Sequence, residues 1–316
     1  MTKVSDGVPG SATVLGTPVV PTDDGRPDGP DGPPAVVSRR RHRRPRLWIP
    51  LGVIAGYLVA GVIGPMIARY DPIATSVADR LLPPGSRMSD GGLALLGTDQ
   101  VGRDLLPQIM QGARVSLLVG AATLLLAGTV GAALGILCGY LGGVVDATVM
   151  RLADIQLAFP SILLAVFVAG VLGSSVTNVV LTLSITTWPI FARVARAQTL
   201  ATRSRDFANA ARTLGAGPWH VVRHCVLPAV ASPLLVIATV QLGFVIVAEA
   251  SLSFLSLGIP AGTPSWGTTI ANGRDYLASA WWIATLPGLA LAVFVVCVGV
   301  LGDELRDRSD PNLSTR

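Results

Sequence analysis

Few side chains in this sequence have a type and spacing suited to bond-making chemistry. His42, His220 and His224 are its three histidines, and Glu249 is the one carboxylate well inside a long apolar run. A membrane-embedded enzyme needs His, Asp or Ser groups converging at one depth, whereas these histidines flank apolar runs. A phosphate-cradling loop of the form Gly-x-x-x-x-Gly-Lys-Ser/Thr is absent from the 316 residues, so ATP is not bound in that way by this chain. Cys138, Cys225 and Cys297 are odd in number, far apart and in or beside apolar stretches. They read as small hydrophobes rather than a disulfide or zinc framework. No catalytic residue and no metal ligand is assigned. Glu249 stays open between a functional group at membrane depth and a structural partner for a neighbouring helix or backbone.

The remaining polar feature is a short segment, residues 204 to 228, between two long apolar stretches. Ser204 suits an N-cap, and Asp206 falls in the first turn, where negative charge complements the helix dipole. Phe207, Ala210, Ala211 and Leu214 recur at helical spacing and predict one apolar stripe. Gly215 follows where a left-handed cap is wanted, and Gly217-Pro218 opens a second helix. Trp219, Val222 and Val226 give that helix its own stripe, and Leu227-Pro228 is expected to end it. Neither helix is long enough to be stable alone in water. Their stripes pack either on the ends of the chain's own spans or, with Ala216 and Gly217 in the turn, in a groove on a partner.

The elements that hold this segment follow from composition. Hydrophobic residues make up 51% and charged residues 14%, with a mean hydropathy of +0.59. A soluble domain carries about 25% charged residues, so lipid is the expected solvent. The formal charge of +5 is almost wholly arginine, since Lys3 is the single lysine. The arginines gather at the ends of apolar runs, with no basic face interleaved with aromatics, which argues for membrane topology and against nucleic acid. Six spans are predicted: 47–70, then about 114–140, 156–173, 177–199, 230–257 and 281–302. Arg151, the six arginines from Arg193 to Arg223, and the basic C-terminal tail mark three cytoplasmic segments. Both termini are then cytoplasmic and the protein is a multi-pass component of the cell membrane. Without a chain of intramembrane charge, a stand-alone secondary transporter is disfavoured.

Residues 1–46 read as a disordered, basic cytoplasmic tail ending in "RRRHRRPR", which could also contact anionic lipid. Residues 71–112 read as an external loop with short helices, and 304–316 as a cytoplasmic tail. The small residues of "GTVGAALGILCGYLGG" permit close helix packing, either within the chain or against a second membrane subunit.

The spacing Asn209-Ala210-Ala211, Gly215, Cys225, Leu227-Pro228 resembles the cytoplasmic motif of membrane subunits of ATP-binding-cassette importers. Asn209 stands where that family usually has Glu, and Cys225 where it has Ile. "LLGTDQVGRDLLPQIMQGARVSLLVG", "GYLGGVVDATVMRLADIQLAFPSILLAV", "AEASLSFLSLGIPAGTPSWGTTIANGRDYL" and "LGDELRDRSDP" resemble the dipeptide/oligopeptide/nickel permease branch, and within it the second of two paired permeases. The resemblance covers about residues 95 to 311. It implies an all-α polytopic membrane protein with the six-helix type I importer fold, its transmembrane domain spanning 113–303. It further implies a coupling helix at about 205–217 that docks on a cytoplasmic ATPase, using Asp206, Phe207, Asn209, Ala210, Ala211, Leu214, Gly215, Ala216 and Gly217. Leu227, Pro228 and Glu249 belong to its structural motif. Asp99, Gly102, Arg103 and Asp104 would shape the external mouth, and Trp266 and Arg274 the outer loop before the last span. The implied partners are a paralogous permease, one or two ATPase subunits that carry ATP and magnesium, and an external substrate-binding protein. The implied cargo is di- or oligopeptide, with nickel or another small solute as the alternative.

Overall fold

A computed structural model describes residues 47–67, 71–260 and 262–309. The expectations for residues 1–46 and for the end of the C-terminal tail fall largely outside these. Among the described residues ten α-helices and one small hairpin follow in chain order: α1 (Trp48–Ile67), β1 (Ser86–Arg87), β2 (Leu93–Ala94), α2 (Leu105–Leu141), α3 (Gly143–Ala158), α4 (Ser161–Leu172), α5 (Val176–Arg203), α6 (Asp206–Thr213), α7 (Pro218–Val221), α8 (Leu227–Phe254), α9 (Trp266–Gly273) and α10 (Trp282–Ser309). A wide π turn, Val222–Val226, joins α7 to α8 without a break.

Among the described residues four helices are long and apolar enough to cross a membrane: α2, α5, the continuous Pro218–Phe254 rod, and α10. Their large apolar side chains point outward as well as inward; Leu125, Phe244 and Val296 are each well exposed. In water so much exposed apolar surface would drive association, and lipid removes that drive. The predicted span 156–173 is a correction. It breaks at Phe159-Pro160 into α3 and α4, which meet at 97°. Proline disfavours the helical conformation of the residue before it, and Phe159 is extended at φ −86°, ψ 140°. Alone, the 12 residues of α4 reach about 18 Å, short of a roughly 30 Å hydrocarbon core.

The bundle is built on α2, whose 37 residues extend about 56 Å. It begins at Leu105, not near 114, because Asp104 caps it by accepting from the Leu106 amide at 3.1 Å. The first three turns carry Gln108, Gln111 and Arg114, which hide the helix from a hydropathy reading. α5 runs parallel to α2 and lies unusually close to it. A Cβ on Gly131 would come within 2.6 Å of the Trp188 carbonyl, and one on Gly139 within 2.7 Å of Thr199. The small-residue run is therefore used inside the chain, with Phe191, Ala192 and Ala195 filling the seam. On the other side of α2, Tyr57, Trp266 and Phe294 form an aromatic cluster with centroids 5.5 to 5.8 Å apart. The Tyr57 hydroxyl donates to the Ala290 carbonyl at 2.9 Å, tying α1 to α10.

The segment before α2 also departs from expectation. It carries no short helix but an antiparallel hairpin, Ser86 opposite Ala94 and Arg87 opposite Leu93. Gly91 at φ +85° supplies the left-handed turn residue that closes it. Asp79, buried beneath, accepts from the Ser76 hydroxyl at 2.6 Å, the Ser89 amide at 2.7 Å and the Ser89 hydroxyl at 2.5 Å. Those donors hold its carboxyl below the ordinary carboxylate range, the Ser76 hydroxyl contributing most.

Candidate functional site

α6 begins where α5 ends, at the end of the bundle opposite the hairpin. Its N-cap is Arg205 in extended conformation, with no side-chain capping bond. Ser204 is not the cap: it still has helical φ and ψ, and its hydroxyl bonds back to the Leu200 and Ala201 carbonyls. Asp206 in the first turn and Arg212 in the last both suit the helix dipole. Gly215 at φ +88° turns the chain left-handed, as expected. The Ala216 amide then reaches the Ala211 carbonyl at 3.0 Å, and the Gly215 amide the Arg212 carbonyl at 2.9 Å. This paired closure satisfies carbonyls that the helix end would otherwise leave open.

The apolar stripe of α6 faces away from the chain's own helices. Ala208, absent from the predicted stripe, is the buried residue of α6. Phe207 is 48% exposed and Leu214 88% exposed, while Asn209, Ala210 and Gly215 are exposed and Ala211 and Ala216 half-buried. The chain's own spans therefore leave the α6 stripe largely uncovered, whereas Val226 of the second predicted stripe does pack on them, beside Ala195 and Ile136. Asn209 faces outward too, its Oδ1 accepting from Arg212 Nη1 at 3.2 Å.

Past the turn, Pro218 takes the first position of α7, with Gly217 as cap. Here the second predicted stripe is corrected. Trp219 is 75% exposed, and the inward face is Val221, Val226 and Val230. Leu227-Pro228 does not end the helix. Pro228 has no amide proton to give. The rod instead widens by one residue, the Leu227 amide reaching the Val222 carbonyl in a five-residue step. Phe207, Leu214 and Trp219 so present apolar surface at one end of the bundle, among the exposed arginines Arg205, Arg212 and Arg223.

The residues assigned to the external mouth come together at the opposite end as an internal knot. Asp99 is buried; its Oδ1 accepts from the Val101 and Arg103 amides at 2.9 and 2.8 Å, and its Oδ2 from Gln108 at 2.8 Å. Arg103 donates to the Pro72 and Ala74 carbonyls at 2.6 and 2.8 Å. Gly102, at φ +87°, lies against Ser76 with no room for a side chain. Desolvation raises the Asp104 carboxyl above its ordinary range. Trp266 opens α9 in the segment between α8 and α10, where it is fully buried, its indole donating to the Ile109 carbonyl at 3.2 Å. Arg274, in the same segment, is exposed, 3.4 Å from Asp275 and over the Phe254 ring.

Glu249 is fully buried and accepts from Ser116 and Ser253, each at 2.8 Å. Of the two readings left open, this geometry fits the tie between α2 and α8. A groove of about 310 Å³ opens between α4, α5 and α8. Its walls are Ile162, Leu183, Ile190, Phe244 and Val245, and its polar groups include Thr187 and Gln241. Thr187 and Gln241 are each 9% exposed and make no hydrogen bond among the described residues. Gln241 belongs to none of the sequence motifs, although an amide in a long apolar run is itself a signal. Among the described residues no three His, Cys, Asp or Glu side chains gather as metal ligands.

Residues 131–315 match the family described as binding-protein-dependent transport system inner membrane component. The chain is 41% identical over 254 residues to the di/tripeptide transport system permease protein DppC of Pseudomonas aeruginosa, covering 80% of this chain and 83% of that one. It is 39% identical over 246 residues to the nickel transport system permease protein NikC of Escherichia coli, covering 78% and 87%. A solved structure of the MetNI methionine ABC transporter, in an inward-facing conformation, matches with a TM-score of 0.52 at 19% identity, over 64% of this chain and 97% of that one. At that identity the match shows the fold alone.

Proposed function

The chain belongs to the binding-protein-dependent inner-membrane transport components, and from that premise we propose that it is a permease subunit of an ATP-driven importer of di- and oligopeptides. The observation that carries the reading is the outward apolar face of Phe207, Leu214 and Trp219 on a closed helix–turn–helix. Such a face outside the bilayer favours a partner that covers it. The partner we assign is a cytoplasmic ATPase, with ATP and magnesium held there and no catalytic role in this chain. Asp206, Phe207, Asn209, Ala210, Ala211, Leu214, Gly215, Ala216 and Gly217 form the docking element.

In this reading the groove between α4, α5 and α8 faces the solute path, and a paralogous permease supplies the opposite wall. Gln241 and Thr187 offer unpaired amide and hydroxyl groups there, suited to the amides of a peptide backbone. An external binding protein delivers the solute at the hairpin end, and both termini lie in the cytoplasm. The likeness to a nickel permease favours metal import as the second reading. Against it, no His, Cys, Asp or Glu lines the groove, the side chains that hold transition metals.

The test is uptake in reconstituted vesicles by the chain with the subunits that co-purify from its native membrane. ATP-dependent accumulation of a labelled dipeptide, unaffected by excess nickel, supports the peptide reading. ATP-dependent accumulation of nickel with no peptide uptake overturns it. Solute movement by the chain alone, without ATP, overturns the importer reading altogether.

A further inference from the structure

Three polar ties join α3 to α5, one element beyond the docking segment. Near the start of α3, Asp146 receives both Nε and Nη2 of Arg196 in a two-pronged ion pair, the Nη2 bond at 2.6 Å. Asp154 pairs with Arg193 at 2.5 Å. Close to the end of α3, the Gln156 amide donates to the Ile185 carbonyl at 2.5 Å and its carbonyl accepts from the Trp188 indole at 3.0 Å. The ties descend α5 as they ascend α3, so the two helices are laced antiparallel along most of the length of α3. A fourth contact fixes the end of α5 itself: Arg203 donates to the Gly139 and Tyr140 carbonyls at 2.9 and 2.8 Å, where α2 finishes.

These ties differ in strength. Arg193 and Asp154 are each about half exposed, and such surface pairs contribute little. Asp146 is 19% exposed and Arg196 34%, and two parallel bonds fix the relative orientation of guanidinium and carboxylate. Asp146–Arg196 is accordingly the tie that resists sliding of α3 along α5.

What hangs on α3 gives the tie a use. One end of α5 leads directly into α6, separated from it by Ser204 and Arg205. The far end of α3 turns 97° into α4, and Ser161, Ile162 and Ala165 of α4 form a wall of the groove. We propose that Asp146 and Arg196 are positioning residues that convey displacement of α6 through α5 and α3 to α4, so that docking-segment motion changes the groove. The inference rests on the importer reading above and adds the route by which it would work. α4 also meets α5 directly at its far end, where Asn178 donates to the Leu172 and Gly173 carbonyls at 2.6 and 3.1 Å; the route through α3 acts on the end that follows the bend.

The experiment uses the full complex in vesicles, with uptake of tritiated alanyl-alanine and ATP hydrolysis measured on the same preparation. Four forms are compared: wild type, Asp146→Arg, Arg196→Asp, and the double reversal. Each single reversal is expected to lower peptide moved per ATP by about tenfold while co-purified ATPase keeps hydrolysing, and the double reversal to recover most of it, as a direct pair requires. Asp146→Asn keeps the shape and removes the charge, so it serves if a reversal fails to assemble; its expected loss of peptide per ATP is smaller, about threefold. Wild-type peptide per ATP in Asp146→Asn overturns the inference. So does a double reversal that assembles at wild-type yield and stays uncoupled. Wild-type complex that moves no peptide with ATP overturns the importer reading, and the inference with it. A merely structural pair would change assembly and stability without changing the ratio.

Discussion

The two ends of this bundle solve opposite problems. At the hairpin end, residues 71 to 104, polar groups are gathered inward: Asp79 and Asp99 are buried and each accepts three bonds, all from the loop except the one Gln108 of α2 gives to Asp99. At the other end, α6 and α7 turn apolar groups outward and bury little beyond Ala208 and Val221. The first region pairs its buried carboxylates internally, though Ile73, Val77 and Leu95 are exposed there too. The second has a closed backbone frame and an unfinished side-chain surface. The difference teaches that the frame and the face of a loop are separable: Gly215 and the paired carbonyl closure fix the frame, while Phe207 and Leu214 stay exposed.

The largest expected effect lies at the finished end. Asp99→Ala strips acceptors from two backbone amides and from Gln108, and should cost about 3 kcal/mol of stability, read as a lower melting temperature in detergent. A melting temperature equal to wild type would show that the knot does not hold the loop. At the unfinished end the contrast should reverse. Phe207→Asp with Leu214→Asp changes exposed side chains, so stability should move by no more than about 0.5 kcal/mol. Association with co-purifying ATPase should weaken by about tenfold or more, as for central apolar anchors. Retained association would erase the proposed distinction between the two ends.

A smaller effect is expected from pH. The Asp79 carboxyl is held below its ordinary value, chiefly by Ser76. Its contribution to stability is therefore present above the unfolded value, near pH 4, and lost as pH falls through the lower folded value. Melting temperature should fall on acidification below about pH 4, and Asp79→Asn should show a shallower fall over that window. The smallest change is Asn209→Glu. It places a carboxylate three residues before Arg212, worth about 0.3 kcal/mol to α6, and should leave the melting temperature nearly unchanged. Any gain would show in ATPase association, measured against wild type.

Much of this was legible beforehand, and the reasons differ by region. The turn at Gly215 and the start at Pro218 follow from local backbone chemistry, where one residue's allowed angles decide. The spacing of Phe207, Ala210, Ala211 and Leu214 revealed a stripe but not its direction. Direction depends on what stands beside the helix, and sequence periodicity carries no such information. The hairpin was missed because two-residue strands are too short for any alternation to register. The start of α2 was missed because its first turns are polar while its seam against Trp266 is not. Glu249 drew attention through its rarity; its partners, Ser116 and Ser253, could be found only from the packing of α2 on α8. Asp146 and Arg196 lie fifty residues apart, and nothing in the order of residues pairs them.

By itself the sequence determined the solvent, the left-handed turn at Gly215 and the helix start at Pro218. These follow from composition and from dihedral preferences that act within a few residues. Only the tertiary structure decided that one predicted span is bent at Phe159-Pro160, that the glycines of α2 receive α5, and that the apolar stripe of α6 looks outward. Those outcomes depend on which surfaces meet across long separations, where close packing and paired polar groups select among arrangements that local preference leaves equal.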